Sequence, residues 1–271
     1  MKICFINPPF KAEHGKFSRE SRSPAIGHSG VLYYPLWLIY SAALAEQNGF
    51  DIAFVDAPAK QWNEVECLAY IRQLILNEVL FVLDTSTPSI YNDLRFAELL
   101  KQEYPKSFIV MVGTHPTATV EETMNAGSAV DAVARGEYDF TVLELAKALS
   151  ANRQINTVLG LSYRSNGHII HNDNREPLEE LDQIPMAAKF IKEHLDVYDY
   201  VFPAATYPAI QIFTGRGCPA RCNYCVYPQV MHGHKYRQRT TQNVVEEFLY
   251  IAENFPDVKE IVIEDDTFTI E

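Results

Sequence analysis

The chain has 271 residues, 47% of them apolar, and a formal net charge of -12 at neutral pH. That length supports one large domain or two ordinary ones with a sizeable core, and acidic residues spread along the chain exclude a broad basic field for a nucleic-acid backbone. The longest apolar run, VLYYPLWLIYSAALA, falls short of the ~20 residues of a membrane span and contains a proline. MKICFINPPF has too little apolar length for a secretory signal, so a cytoplasmic protein without a membrane span is expected.

The first 150 residues alternate β-rich apolar runs with longer helical patterns. Strands are expected at KICFIN, DIAFVD, VLFVLD, SFIVMVG and AVDAVAR. Helices are expected at PLWLIYSAALAEQNG, NEVECLAYIRQLILN, IYNDLRFAELLKQEYP, TATVEETMNAG and FTVLELAKALS, with Gly49 and Gly127 at helix C-caps. Five strands, each followed by a helix, predict an α/β unit over residues 1–150, a doubly wound parallel five-stranded Rossmann-like (flavodoxin-like) sheet. Ligands of such sheets bind outside the carboxyl ends of the strands. Those ends read NPPF (Asn7 to Phe10), DTSTPS (Asp84 to Ser89), GTHPT (Gly113 to Thr117) and RGEYDFT (Arg135 to Thr141). Each has a local structural reason in strand stops and helix caps, but four of them on one rim, with glycines admitting close approach, point to a ligand site.

Residues 151–208 read as a linker packed between two domains: a hairpin in VLGLSYRSNGHIIHN turning at Asn166-Gly167, a polar connector DNREPLEELDQIP, and an irregular aromatic segment FIKEHLDVYDYVFPAATYP. The aromatics of VLYYPLWLIY are expected to be helix core. Cys4 and Cys67, alone in an expected strand and helix, read as buried free thiols.

From Ala209 the alternation resumes with strand AIQIFTG, a cysteine loop, helix TQNVVEEFLYIAENF and strand KEIVIED. The loop FTGRGCPARCNYCVYPQ holds three of the five cysteines, Cys218, Cys222 and Cys225, spaced C-x3-C-x2-C. In a reducing compartment such a cluster reads as metal or redox chemistry rather than a disulfide framework. Three thiolates on an iron-sulfur cubane leave one iron open, and an open position distinguishes a reactive metal site from a structural one. The alternative is a structural zinc completed by His232 or His234. Gly215 and Gly217 lack the third glycine of a dinucleotide loop, and the basic run HGHKYRQR reads as a solvated face.

GCPARCNYC resembles the cluster loop of the radical S-adenosylmethionine enzymes, C-x3-C-x-aromatic-C, with Tyr224 in the aromatic place. The resemblance implies that Cys218, Cys222 and Cys225 hold a [4Fe-4S] cluster whose open iron chelates S-adenosylmethionine, which one electron cleaves to a 5'-deoxyadenosyl radical. It places Tyr224 near the adenine, and Glu264, Asp265 and Asp266 of IEDDTF near the cofactor's amino acid part, where an acidic turn ending a strand is the plain alternative. INPP, YYPLWLIYSAALAEQNGFDIAFVDA, VGTHPT and ARGEYD resemble the cobalamin-binding domain that precedes the barrel in one large subgroup. That analogy puts the corrinoid's nucleotide tail near Pro8, Pro9, Ser86, Thr87, Gly113, Thr114, His115, Gly136 and Glu137. A D-x-H-x-x-G loop with a cobalt-ligating histidine is missing, so cobalamin is expected without a protein histidine on cobalt and His115 as a tail contact.

The resemblance implies that residues 209–271 are the first strand-helix units of a partial TIM-type barrel. With roughly 30 residues or more per unit, such a barrel is expected to continue well beyond Glu271. The expected function is cobalamin-dependent radical S-adenosylmethionine methyl transfer to an unactivated carbon of a small-molecule or lipid-like substrate, with flavodoxin or ferredoxin as electron donor. Radical cyclisation or rearrangement, and a corrinoid- or zinc-binding module without catalysis, are the alternatives.

Overall fold

The computed structural model describes residues 1–19, 24–27, 30–76 and 78–270. Its strands are β1 (Lys2–Asn7), β2 (Lys16–Ser18), β3 (Ala25–Gly27), β4 (Ile52–Asp56), β5 (Val79–Asp84), β6 (Phe108–Val112), β7 (Ala132–Ala134), β8 (Leu161–Ser165), β9 (His168–His171), β10 (Ala209–Ile212), β11 (Gly215–Arg216), β12 (Arg237–Gln238) and β13 (Glu260–Ile263). The helices are α1 (Leu36–Gln47), α2 (Ala57–Lys60), α3 (Glu64–Leu74), α4 (Ile90–Glu103), α5 (Thr114–Ala118), α6 (Val120–Ala126), α7 (Asp139–Ser150), α8 (Ala187–His194) and α9 (Thr241–Asn254). Asn77, the last residue of the expected NEVECLAYIRQLILN helix, lies outside the described residues.

The main sheet runs β4-β1-β5-β6-β7-β8-β9. Its first five strands are parallel, and the order reverses between β1 and β5, the flavodoxin-like arrangement. The hairpin β8-β9 does turn at Asn166 and Gly167, both left-handed with φ of 49° and 79°, as a tight right-twisted hairpin demands. It is not a free-standing part of a connector, however. β8 pairs antiparallel with β7 and extends the sheet to seven strands.

Strand alternation splits the core in two. Ile3 and Phe5 of β1 face a cluster with α1, α7 and α8, while Cys4 and Ile6 face α3 and α4 on the other side. α1 is apolar all round because it is covered all round: ten of its residues, Leu36 to Ala45, are buried between the sheet, α7 and α8. α3 begins on a capping box formed by Asn63 and Glu66.

Three expected elements differ. TATVEETMNAG breaks into α5 and α6 at Thr119, whose φ of -134° is not helical and whose Oγ1 donates instead to the His115 carbonyl. Gly127 does end α6, but with φ of -119°. It is small because a Cβ there would stand 2.4 Å from Leu94 Cδ2. The segment read as irregular contains α8, which buries Ala187, Ala188, Phe190 and Ile191.

After the connector, β10, α9 and β13 form a right-spaced β-α-β unit with β10 and β13 parallel. Gly217 to Tyr236, the stretch holding the cysteines, follows β10 and lies between the short antiparallel strands β11 and β12.

Candidate functional site

The strand ends of β1, β4 and β5 carry a buried polar network. Arg19 forms an ion pair with Asp93 at 2.6 Å and donates from Nη1 to Asn7 Oδ1 and the Pro8 carbonyl, each at 2.7 Å. Asp93 also accepts from Thr85 Oγ1 and Ser89 Oγ at 2.6 Å. Asp56 accepts from Asn7 Nδ2 and the Tyr200 hydroxyl, at 2.8 and 2.7 Å. Burial pushes Asp56 up to about 6; burial pushes Asp84 up to about 7, with Arg19 opposing and Asp93 adding to the rise.

Beside this network lies a cleft lined by Arg19, Asp84, Thr85, Gly113 and Thr114 below and by Trp37, Tyr138, Tyr227 and Met231 above. Gly113 adopts φ of 113°, and a Cβ on it would meet the Thr85 carbonyl at 2.4 Å, so the β5 and β6 loops touch only because this residue is glycine. The roof belongs to the turn Pro228–His232, which rests on α5 and comes within 3.5 Å of a Cβ built on Gly136.

Of the strand-end residues singled out in the sequence, Gly113 and Thr114 line the cleft. Thr87 and His115 meet at its exposed rim, Oγ1 to Nδ1 at 3.1 Å, and burial lowers the His115 pKa. Ser86 is buried against Ser89 at the start of α4. The Pro9 carbonyl accepts from Asn92, and the Gly136 N–H donates to Thr117 Oγ1 at 3.2 Å. Glu137, expected as a tail contact, turns its side chain to the cysteine-loop side of the strand ends. Its carboxylate is buried against the Arg237 guanidinium and also accepts from the Leu178 N–H at 3.1 Å.

That ion pair is half of a clamp on the cysteine loop. Arg216, one residue before Gly217, lies 2.7 Å from Asp139 Oδ2 and 3.8 Å from Glu137, and stacks 4.2 Å over the Trp37 ring. Burial works against its charge, but Asp139 and Glu137 outweigh it and raise its pKa. The run HGHKYRQR is therefore not a solvated face. His232, Arg237 and Arg239 are buried: His232 lies against Asp266, and the two guanidinium groups are held by Glu137 and Glu247, because buried cations require buried anionic partners.

Between the clamped ends the loop presents Cys222 exposed and Cys218 and Cys225 half-buried, all as free thiols. The Cys218 N–H donates to the Gly233 carbonyl, and Cys225 N–H to the Cys222 carbonyl. Tyr224 is 87% exposed. The acidic turn after β13 folds back onto the loop's stem: Glu264 accepts from Gln211 Nε2 at 2.6 Å. Asp265 accepts from the Thr214 N–H and hydroxyl at 2.7 and 2.5 Å, and Asp266 pairs with His232. Of the two histidines of the zinc alternative, His232 pairs with Asp266, and His234 Nδ1 lies 3.1 Å from the Ala220 carbonyl within the cysteine loop.

Residues 22–146 match the B12-binding domain family. Over 274 residues and its full length, the chain is 28% identical to an uncharacterized methyltransferase of Pyrococcus horikoshii, covering 54% of that relative. It is also 28% identical over 277 residues to the anaerobic magnesium-protoporphyrin IX monomethyl ester cyclase of Rubrivivax gelatinosus, covering 100% of this chain and 46% of the cyclase. The cobalamin-dependent S-adenosylmethionine radical enzyme OxsB, solved with aqua-cobalamin and S-adenosylmethionine bound, superposes over 98% of this chain and 34% of its own, with a TM-score of 0.73 at 14% identity.

The chain carries a B12-binding domain match and shares its fold with a cobalamin-dependent S-adenosylmethionine radical enzyme. It spans about half the length of the curated relatives it matches. For a corrinoid the cleft offers fitting kinds of group: aromatic and thioether walls, hydroxyls, and one buried carboxyl oxygen of Asp84 without a hydrogen-bond partner among the described residues. As it stands its internal volume is about 20 Å³, room for a single water. The soft, uncommitted thiols of Cys218, Cys222 and Cys225 fit an iron-sulfur cluster. Among the described residues they are not drawn together within 4.8 Å, whereas a tetrahedral zinc with bonds of about 2.3 Å holds its sulfurs roughly 3.8 Å apart.

Sequence reasoning missed Arg19, Asp93, Arg216, Arg237 and, of the cleft's roof, Tyr227 and Met231, whereas Trp37 and Tyr138 lie in the stretches VLYYPLWLIY and RGEYDFT that it singled out. A signal existed only for Arg216, a cation between Gly215 and Gly217 that a purely solvated loop does not need.

Proposed function

We propose that this chain is the cobalamin domain and the cluster-bearing start of the barrel of a cytoplasmic radical S-adenosylmethionine methyltransferase acting on an unactivated carbon of a small-molecule or lipid-like substrate. The observation that carries this reading is the clamp: the loop with three uncommitted thiols is fastened through Arg216 and Arg237 to Asp139 and Glu137, beside the strand-end cleft of the B12-binding domain. When bound, the cluster supplies an electron to S-adenosylmethionine and the corrinoid a methyl group, the cofactors carrying the chemistry the protein cannot.

In this reading Cys218, Cys222 and Cys225 hold the cluster, and Gly113, Thr114 and the Thr87–His115 pair line the corrinoid's seat. Glu264 and Asp265 fix the stem of the loop through Gln211 and Thr214, and this reading assigns the acidic turn they belong to, with Asp266, to S-adenosylmethionine's amino acid part. Trp37, Tyr138 and Tyr227 give the seat a dry wall. Flavodoxin or ferredoxin is the proposed electron donor.

Anaerobic reconstitution with iron and sulfide tests the assignment. A broad visible absorption and a reduced-cluster paramagnetic signal are expected from the wild type and not from the variant with Cys218, Cys222 and Cys225 all changed to Ala. A colourless protein holding stoichiometric zinc refutes it. Similarity to the Rubrivivax cyclase favours ring closure as the second reading, and product mass decides, since only methyl transfer adds a methyl group per turnover.

A further inference from the structure

The polar groups at the strand ends satisfy one another with one exception. Asp93 is taken by Arg19, Thr85 and Ser89, and Asp56 by Asn7, Tyr200 and the Ala59 N–H. Asp84 is 3% exposed, lines the cleft, and its Oδ2 has no hydrogen-bond partner among the described residues. Leaving such a group unsatisfied carries its full desolvation penalty, larger for a charged one. A defect of that kind in an otherwise complete network marks a place where a ligand supplies the missing partner.

The surroundings specify the partner. Arg19, the cation beside Asp84, is already committed to Asp93, Asn7 and Pro8, so the site carries excess negative charge and repels an anionic ligand group. The other lining groups are neutral: the Thr85 and Thr114 hydroxyl residues, Gly113, and the aromatic roof. A neutral N–H donor on a large, mostly apolar ligand satisfies both conditions, and the side-chain primary amides around a corrin ring are of this kind.

We propose that Asp84 Oδ2 accepts a hydrogen bond from a primary amide of the corrinoid and thereby selects amidated corrinoids over those carrying esters or carboxylates at that position. The inference rests on the cobalamin reading above. The groups facing Asp84 are Arg19, directly after β2, Asp93 from α4 and Asp56 from β4. An N–H donor favours the ionised carboxyl, so corrinoid affinity rises with pH through about 7.

The test is a spectrophotometric titration of the full chain, free of iron and S-adenosylmethionine, with cobinamide and with its counterpart bearing methyl esters in place of the amides. Wild type is expected to bind cobinamide at least roughly tenfold more tightly than the ester, the size of a hydrogen bond to a charged group. D84L is expected to bind both equally and, with the orphan removed, to melt higher than wild type as the apoprotein. D84N, the isosteric variant, keeps the fold and loses the pH dependence between 6 and 8. Retention of the wild-type preference in D84L, or of the pH dependence in D84N, overturns the assignment of Asp84 alone. Failure of wild type to take up cobinamide and hydroxocobalamin overturns it together with the cobalamin reading.

Discussion

Asp84 also has a consequence for stability that needs no ligand. Its carboxyl is pushed up to about 7 and that of Asp56 to about 6, both chiefly by burial, against about 3.9 in an unfolded chain. The folded protein therefore holds protons that the unfolded chain has released, and the contribution of each group to stability falls as pH rises from about 4 to its folded value. D84N removes one of the two. The difference in melting temperature between D84N and wild type is expected to be small near pH 4.5 and to grow in favour of D84N up to pH 7.5; a constant difference across that range sinks the claim. Arg216 is the opposite case, a buried cation with its anions in place. R216M strands Asp139 and part of Glu137, and breaking a buried pair costs about 3–5 kcal/mol. R216M/D139L is expected to recover part of that loss in urea unfolding, the coupling that distinguishes a direct pair from loss of packing over Trp37.

The clamp is completed by short elements whose geometry leaves little choice of residue. Gly217 has φ of 97°, and a Cβ there would stand 2.0 Å from the Lys235 carbonyl oxygen. G217A therefore incurs both backbone strain and a clash with main chain at the base of the β11–β12 ladder. It is expected to lower the melting temperature by several degrees and to reduce iron incorporation, measured as iron per chain after reconstitution, while corrinoid uptake is kept. This is also where sequence reading succeeded and failed. The β8-β9 turn was legible because Asn-Gly carries its own conformational preference, and the cysteine loop because three thiols at that spacing have few other uses. α8 was not: eight residues flanked by Pro185, without a side-chain cap, give little local signal, and tertiary burial of Phe190 and Ile191 decides the matter. HGHKYRQR was misread because local charge does not reveal that Glu137, Glu247 and Asp266 await it from distant positions.

At the scale of the molecule, a division at residue 150 follows the alternation of elements but not the packing. One core cluster joins Leu38, Ile39 and Tyr40 of α1 with Ala187 and Ile191 of α8, Ile210 and Ile212 of β10, and Ile251 of α9. Tyr200 stacks on Tyr34 at 3.9 Å and donates to Asp56. The Tyr40 hydroxyl accepts the Phe213 N–H at 3.0 Å, and β8 covers the edge of β7. Periodicity in sequence could show that α1 is apolar on every face, but not that its second face belongs to the other half of the chain. Residues 1–150 alone would bare that face, uncover β7, and leave Asp139 and Glu137 without Arg216 and Arg237. Each fully buried large side chain exposed in this way forfeits about 1.5–3 kcal/mol, so a handful exceeds the 5–15 kcal/mol of a typical fold. The 1–150 fragment is accordingly expected to bind a hydrophobic dye and aggregate, whereas the whole chain gives one calorimetric transition with equal van't Hoff and calorimetric enthalpies. A fragment that is monomeric, melts cooperatively and takes up hydroxocobalamin as well as the whole chain does would show that the shared core is an embellishment on a self-sufficient first domain.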